Sequence, residues 1–412
     1  MERSVVTIVD QVLEGVDSTQ EWQERLYVQL HQNPELSMQE SETAAEITRR
    51  LSSFGYDVQQ VGGGVVGVLP NGDGKTVLVR ADIDALPVRE ATGLAYASTK
   101  TAVDADGKMV PVMHACGHDV HITCGLGAAE LLARNRGAWA GTYVALFQPG
   151  EETAAGARSM VADGLVDRVP RPDVALAQHV LTAPESGHVA TTAGPVLSAG
   201  DSIRITVHGK GSHGSMPHLG VDPVVLASSI VMRLQSIVAR EIAPGAFGVV
   251  TVGSIQAGSK SNIISDHAVL LLNIRSYDRQ IRERIIAAIE RIVRGECAAA
   301  GSPHDPEFDY YDQFPLTDNH AEVDSVVRAA FEAHFGPSRV HQMSPVPASE
   351  DFSVIPDAFG VPYTFWALGG FTPGMTALPN HNPGFAPAIQ PTLRTGTEAI
   401  LAAATAYLGR EV

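Results

Sequence analysis

Apolar residues recur at helical spacing over 21–32 and 40–54, which predicts two helices. Asn33-Pro34 supplies the turn between them, and Gly55 stops the second. Short β-rich pieces follow at 65–69 and, after the Asn71-Gly72-Asp73-Gly74 turn, at 76–83. A long apolar, helix-forming stretch covers 120–133. Strands are then predicted at 142–147 and 173–177, each running into a polar loop.

From about Gly187 to Pro306 the rhythm changes. The pattern reads strand 202–208, helix 223–242, strands 248–255 and 268–275, helix 280–299 and strand 306–311. That β-α-β-β-α-β order is the ferredoxin-like arrangement. A complete topology of this kind predicts an inserted domain. The chain then resumes with helix 321–335, strand 364–368 and helix 393–408. The expected organisation is an α/β catalytic domain with a mixed sheet in two parts, 1–186 and 307–412, and a ferredoxin-like α+β insertion at 187–306. There is no internal repeat.

Length supports two domains: 412 residues exceed what one core usually organises. With 44% hydrophobic and 18% charged residues, ordinary globular cores are expected. The net charge of −17 argues against nucleic acid or an anionic membrane as partner. The opening MERSVVTIVDQVLEG lacks a basic region with a long apolar core, so it does not read as a signal peptide, and no apolar run suffices to span a bilayer. Cys116, Cys124 and Cys297 are an odd, sparse set, which favours a reducing cytoplasm over a disulfide framework.

Candidate chemistry concentrates in the loop Met113-His114-Ala115-Cys116-Gly117-His118-Asp119. Thiolate and imidazole suit zinc and its neighbours better than magnesium or calcium. The loop sits at a predicted helix start, where the dipole would lower a thiol pKa. The competing reading is a buried cysteine beside a satisfied histidine. Asp82 and Asp84 alternate onto one side at a strand's carboxyl end, so Asp84 could orient a ligating histidine or simply face solvent. Glu151-Glu152 follows a strand and a Pro-Gly opening. The two diverge, so one could bind metal and the other act as general base; a solvated helix start is the alternative. His179 follows the next strand in the same way. Gly62, Gly64 and Gly67 match GxGxxG, but no helix follows, so a dinucleotide site is rejected.

Taken in order, LHQNPELSMQE (30–40), VRADIDALPV (79–88), MHACGHDVH (113–121), FQPGEE (147–152), AQHV (177–180), GKGSHGSMPH (209–218), SNIISD (261–266), ASEDF (348–352) and HNPGF (381–385) span almost the whole chain. The set resembles the dinuclear metallopeptidase family of aminoacylase and glutamate carboxypeptidase, in its amidohydrolase branch of hippurate hydrolases, N-acyl-amino-acid amidohydrolases and auxin-conjugate hydrolases. The resemblance implies two divalent metal ions per chain, zinc first, with manganese, cobalt or nickel as alternatives. Cys116 would bridge them, Glu152 and His381 completing one site and His118 and His179 the other. Glu151 would be general base and acid for a water activated by the metals. It further implies a homodimer in which His213 reaches the partner's site as an oxyanion donor, with Asn262 a second donor. Arg275 would bind the substrate's α-carboxylate. Glu350 would play a supporting part.

Two stretches depart from the family pattern. Thr153-Ala154-Ala155 stands where glycines are usual, and Asn273 stands where a glycine often precedes the arginine segment. The implied activity is hydrolysis of an N-acyl amino acid, a small-molecule substrate, to a carboxylate and a free amino acid. A metallo-carboxypeptidase or dipeptidase is the alternative. A cysteine hydrolase using Cys116 with His114 or His118 would leave Glu151, Glu152, His179 and His381 without a purpose. A binding protein on the same fold would be marked by a lost ligand or base.

Overall fold

A computed structural model describes residues 7–409. Residues 1–6, part of the stretch weighed above as a signal peptide, lie outside the described residues.

After a short helix at Ile8–Val12, the chain forms helices α1 (Asp17–Gln32) and α2 (Ser41–Ser53) and strands β1 (Asp57–Val61), β2 (Gly64–Asn71) and β3 (Thr76–Asp82). Helix α3 (His118–Arg134) and strands β4 (Gly141–Gln148), β5 (Val174–Glu185) and β6 (Val189–Thr191) follow. Next come β7 (Ala199–His208), α4 (Pro223–Arg240), β8 (Gly248–Ala257), β9 (His267–Ser276), α5 (Arg279–Ala300) and β10 (Glu307–Phe314). The last elements are α6 (Ala321–Phe335), β11 (Val340–Gln342), β12 (Tyr363–Phe371) and α7 (Thr392–Thr405). Two compact units result. The first comprises residues 7–196, Asp318–Ser344 and 351–409; the second comprises Leu197–Thr317 and Pro345–Glu350.

The first unit is built on an eight-stranded mixed sheet in the order β1-β2-β4-β3-β5-β12-β6-β11. Its centre is parallel, β3 running beside β4 and β5, and β12 beside β5. Strands covered on both faces read as continuous apolar runs, as Val77, Leu78, Val79 and Ala81 of β3 do, all buried. Of the GxGxxG glycines, Gly62 makes the tight β1–β2 turn with Gly63, at φ of 54° and 91°, and Gly64 and Gly67 lie in β2. Strand β5 is twelve residues long and carries His179 within it, not just past its end. Polar Gln178 and His179 suggested a stop after 177. Pairing with β12 carries the ladder onward, Gln178 opposite Trp366 and His179 opposite Ala367.

The second unit is a four-stranded antiparallel sheet in the order β8-β9-β7-β10, the ferredoxin-like topology, with α4 and α5. Strand β9 alternates strictly: Ala268, Leu270, Leu272 and Ile274 are buried with Leu226, Ile230 and Leu234 of α4 and Ile285 and Ile289 of α5. Helix α4, at 18 residues and mean hydropathy 1.2, is the single helix among the described residues long and apolar enough to cross a bilayer. This qualifies the expectation of no such run. Its sheet-facing residues are packed in this core, which is how a helix of a folded domain passes the same test.

In the first unit α7 lies against α3 at a glycine. A Cβ at Gly396 would come within 2.6 Å of Cys124 Sγ and 2.7 Å of Leu368 Cδ2. Gly396→Ala is therefore expected to destabilise by about 1–3 kcal/mol through overpacking, read as a lower denaturant midpoint. An unchanged midpoint would show that the contact yields freely.

Candidate metal centre and active site

The site sits at the carboxyl ends of β3 and β4, where open α/β sheets place their chemistry, and beside the middle of β5. Cys116, His118, Glu151 and His179 are buried there, Glu152 is partly buried, and the His381 side chain is 54% exposed. Gly117 makes the turn from Cys116 into α3. Its φ is 85° and a Cβ would lie 2.3 Å from Val180 Cγ1, so only glycine serves both demands.

Donor atoms converge in two overlapping sets. Cys116, Glu152 and His381 offer ligand atoms within 4.8 Å of one another, and so do His118, Glu151 and Glu152. His179 Nε2 is 3.5 Å from Cys116 Sγ, and His381 Nε2 is 3.3 Å from Glu152 Oε2. His118 Nε2 and Glu152 Oε1 face each other at 3.9 Å, both buried and without a hydrogen-bond partner. Two orphaned polar atoms in a buried pocket need a further partner. A thiol, imidazoles and carboxylates are the donor chemistry of a transition-type divalent ion. The residues fit such ions.

The His118 and His179 imidazoles are oriented from behind. Asp84 Oδ1 is 3.1 Å from His118 Nδ1, while Asp84 Oδ2 accepts the Glu152 N–H at 3.0 Å and the Ser37 hydroxyl at 2.7 Å. Asp84 thereby ties the histidine loop to the glutamate loop. His179 Nδ1 pairs with the Val180 carbonyl at 2.9 Å, leaving its Nε2 turned toward Cys116.

The electrostatics of the pocket are set by burial and by its carboxylates. Burial alone would lower the His118 pKa, but Asp82 and Asp84 outweigh it and push it to about 10. Burial, then the neighbouring His121, holds His179 neutral, well below the usual imidazole range. The helix start does not lower the Cys116 thiol. Burial, reinforced by Glu152 and Glu151, pushes that thiol well up, so only nearby cationic charge can make it a thiolate.

Several partners were not identified from the sequence. Asp82 accepts from buried Arg80 at 2.7 Å and pairs with His121 Nδ1, whose Nε2 accepts the Val180 N–H at 2.8 Å. Both His121 nitrogens are thus engaged, which removes it as a ligand although it lies among Asp82, His118 and His179. Its position three residues after His118 on one helix face was the available signal. The Glu40 carboxylate accepts from Met38 N at 2.9 Å and Gly150 N at 2.8 Å, bracing the glutamate loop. Burial, then Asp84, pushes Glu40 up to about 7. His114, considered as a base for Cys116, is buried with both ring nitrogens unpartnered.

Three non-glycine residues of the first unit take positive φ, Met38 (64°), Ala154 (53°) and His381 (69°), and all lie in the segments around this pocket. Ala154 stands where glycines are usual, and its left-handed backbone gives that preference a reason.

The remaining candidates lie in the second unit. Ser212-His213 pairs with Ile263-Ile264, and Gly214 N donates to the Asn262 carbonyl at 2.8 Å, so His213 and Asn262 are neighbours. His213 Nδ1 accepts the Ser215 N–H at 3.2 Å, which places the imidazole proton on Nε2 as a donor. Arg275 pairs with Gly200 at the opposite end of the β7–β9 ladder. Its guanidinium is held by uncharged partners, Asn273 Oδ1 at 2.9 Å and Ser349 Oγ. Asn273, the second departure from the family pattern, thus orients the arginine.

Comparison with known proteins places this geometry in a lineage. The chain is 34% identical to hippurate hydrolase of Campylobacter jejuni, over 83% of this chain and 87% of that one. It is 35% identical to thermostable carboxypeptidase 2 of Saccharolobus solfataricus, over 84% and 86%. A crystal structure of the Bacillus subtilis YXEP protein, described as a dinuclear metal binding peptidase, superposes with a TM-score of 0.78 at 27% identity, covering 95% of this chain and 99% of that one. The family model of peptidase family M20/M25/M40 matches residues 78–406. With most of its length matched, the chain belongs to that family.

Proposed function

We propose that this enzyme hydrolyses the amide bond of N-acyl amino acids, releasing a carboxylate and a free amino acid, with two divalent ions held by Cys116, His118, Glu152, His179 and His381. The observation that carries the reading is the pair of orphaned, buried atoms His118 Nε2 and Glu152 Oε1 beside the Cys116 thiol. That the chain is a metal-dependent amide hydrolase follows from its family. The likeness to hippurate hydrolase supports the N-acyl amino acid reading. The likeness to a carboxypeptidase supports a peptide-cleaving alternative on the same site.

Bound ions supply Lewis-acid polarisation of the amide carbonyl and a water of lowered pKa. The chain does the rest. Glu151 takes the proton of the attacking water on its carboxylate and returns it to the leaving amine nitrogen. Asp84 keeps the His118 Nδ1 proton engaged so that Nε2 faces the pocket. His213, with its proton on Nε2, donates to the developing oxyanion, and Asn262 beside it is a second donor. Arg275 receives the α-carboxylate, since it carries a charge and its hydrogen-bond partners Asn273 and Ser349 are neutral.

Zinc suits the donor set best, with manganese, cobalt or nickel as alternatives. We further propose a homodimer through the second unit, His213 acting in the partner's site. Support comes from a stripe on α4, where Val225 is 62% and Met232 74% exposed, beside edge strand β8 with exposed Ile255. We place the enzyme in the cytoplasm, in keeping with three buried cysteines that form no disulfide.

Arg275→Ala should raise KM strongly for N-acyl amino acids and hardly change it for their carboxamides, which offer no charge to pair. Equal losses on both would make Arg275 structural and remove the support for an α-carboxylate substrate.

The two glutamates separate by readout. Glu151→Gln should lose about 10²–10⁴-fold or more in kcat while retaining metal. Glu152→Gln should retain metal poorly. The reverse pattern would exchange their roles.

Metal binding should release protons. His118, at about 10 without metal, is protonated at neutral pH, and so is the Cys116 thiol, raised by burial. Both must deprotonate to ligate. Affinity is therefore expected to climb as pH rises toward 10, and calorimetry in buffers of differing ionisation enthalpy near pH 7.5 should register more than one proton released. The sign also holds for folding: a raised His118 stabilises the metal-free protein fully below its unfolded value of 6.5, a contribution lost as pH rises through 10. Binding without proton release would contradict the ligand set.

A further inference from the structure

The side-chain amide of Asn380 touches two of the segments that carry proposed ligands and belongs to a third. Its Nδ2 lies 3.1 Å from the Cys116 carbonyl, 3.1 Å from the Val180 carbonyl and 3.8 Å from Cys116 Sγ. The Val180 carbonyl is the same oxygen that pairs with His179 Nδ1 at 2.9 Å. The residue after Asn380 is His381, held in left-handed backbone at φ 69° with its N–H on the Ala115 carbonyl at 2.8 Å. Cys116, His179 and His381 come from three places in the sequence, and this one amide joins them.

An NH₂ group has two protons and no lone pair to offer, so two carbonyls converging on it are matched in number and sign. The sulfur at 3.8 Å lies on the same side. An N–H directed near a metal-bound thiolate withdraws electron density from it and tunes the bond. We propose that Asn380 is a positioning residue for the metal centre, fixing the Cys116, His179 and His381 segments in mutual register and tempering the Cys116 thiolate. The inference rests on the two-metal reading above and adds a residue that contributes no ligand atom.

Asn380→Asp keeps the shape and removes the donors, setting a carboxylate against two carbonyls and a thiolate. Asn380→Ala removes the donors without adding charge, and serves if the aspartate variant does not fold. Far-ultraviolet circular dichroism of the metal-free proteins checks the fold. Each folded variant would be titrated with cobalt(II), following uptake and the sulfur-to-cobalt charge-transfer band in the near ultraviolet, with Cys116→Ser as the blank for that band. Expected are cobalt affinity lower by about 10–100-fold and a displaced band, the aspartate variant affected more. Variants that match wild type in affinity and band overturn the role of Asn380. A wild type that binds no cobalt and shows no sulfur band overturns the metal reading itself, so the two failures are distinguishable.

Discussion

Burying negative charge without water demands positive charge in return, and the first unit is organised around that demand. Asp82 and Glu151 are buried near the buried Cys116 thiol, Asp84 is buried against His118, and Glu152 is partly buried with them. Arg80, fully buried, offsets Asp82 and also meets Gln148 and Asp351. Asp84 faces the His118 imidazole, and Glu152 faces His118 and His381. Against the cost of burial, Asp82 and Asp84 push the His118 pKa to about 10, so the charge that these acids demand is met by a proton on this imidazole. Metal binding exchanges protons for divalent charge at a site whose burial already favours the exchange.

The fold supplies rigidity where this exchange occurs. Parallel strands β3 and β4 end side by side next to the middle of β5, so Asp82, Gln148 and His179 start from fixed backbone. Loops complete the set, and they are braced from outside. Glu40 holds Gly150, Ser37 holds Asp84, and Asn380 holds Cys116 and Val180. The segment 30–40, far from any ligand in sequence, is a motif because it carries two of these braces. Strained backbone at Met38, Ala154 and His381 is tolerated because neighbouring contacts over-determine each position.

Much of this was legible before the structure. The ferredoxin-like order of the second unit showed in strict alternation, as along β9, and in helical spacing, as along α5. Glu151, Glu152 and the Cys116 loop stood out because polar, ligand-type residues abutted apolar runs. What stayed hidden depends on contacts between distant segments. That His121 is consumed by Asp82 and Val180 follows from α3 packing beside β3 and β5, which no local pattern encodes. The Cys116 thiol is raised and not lowered for a related reason: a helix start is visible in sequence, whereas burial and two carboxylates folded near the sulfur are not. The extension of β5 through His179 required its partner β12, nearly two hundred residues later.

The central claim is that the pocket's chemistry belongs to bound divalent ions. The direct measurement is metal content and turnover of an N-acyl amino acid on one preparation, after chelation and again after reconstitution. The account predicts that turnover vanishes with the metal and returns as stoichiometry approaches two ions per chain. Full turnover in protein stripped of metal would contradict it.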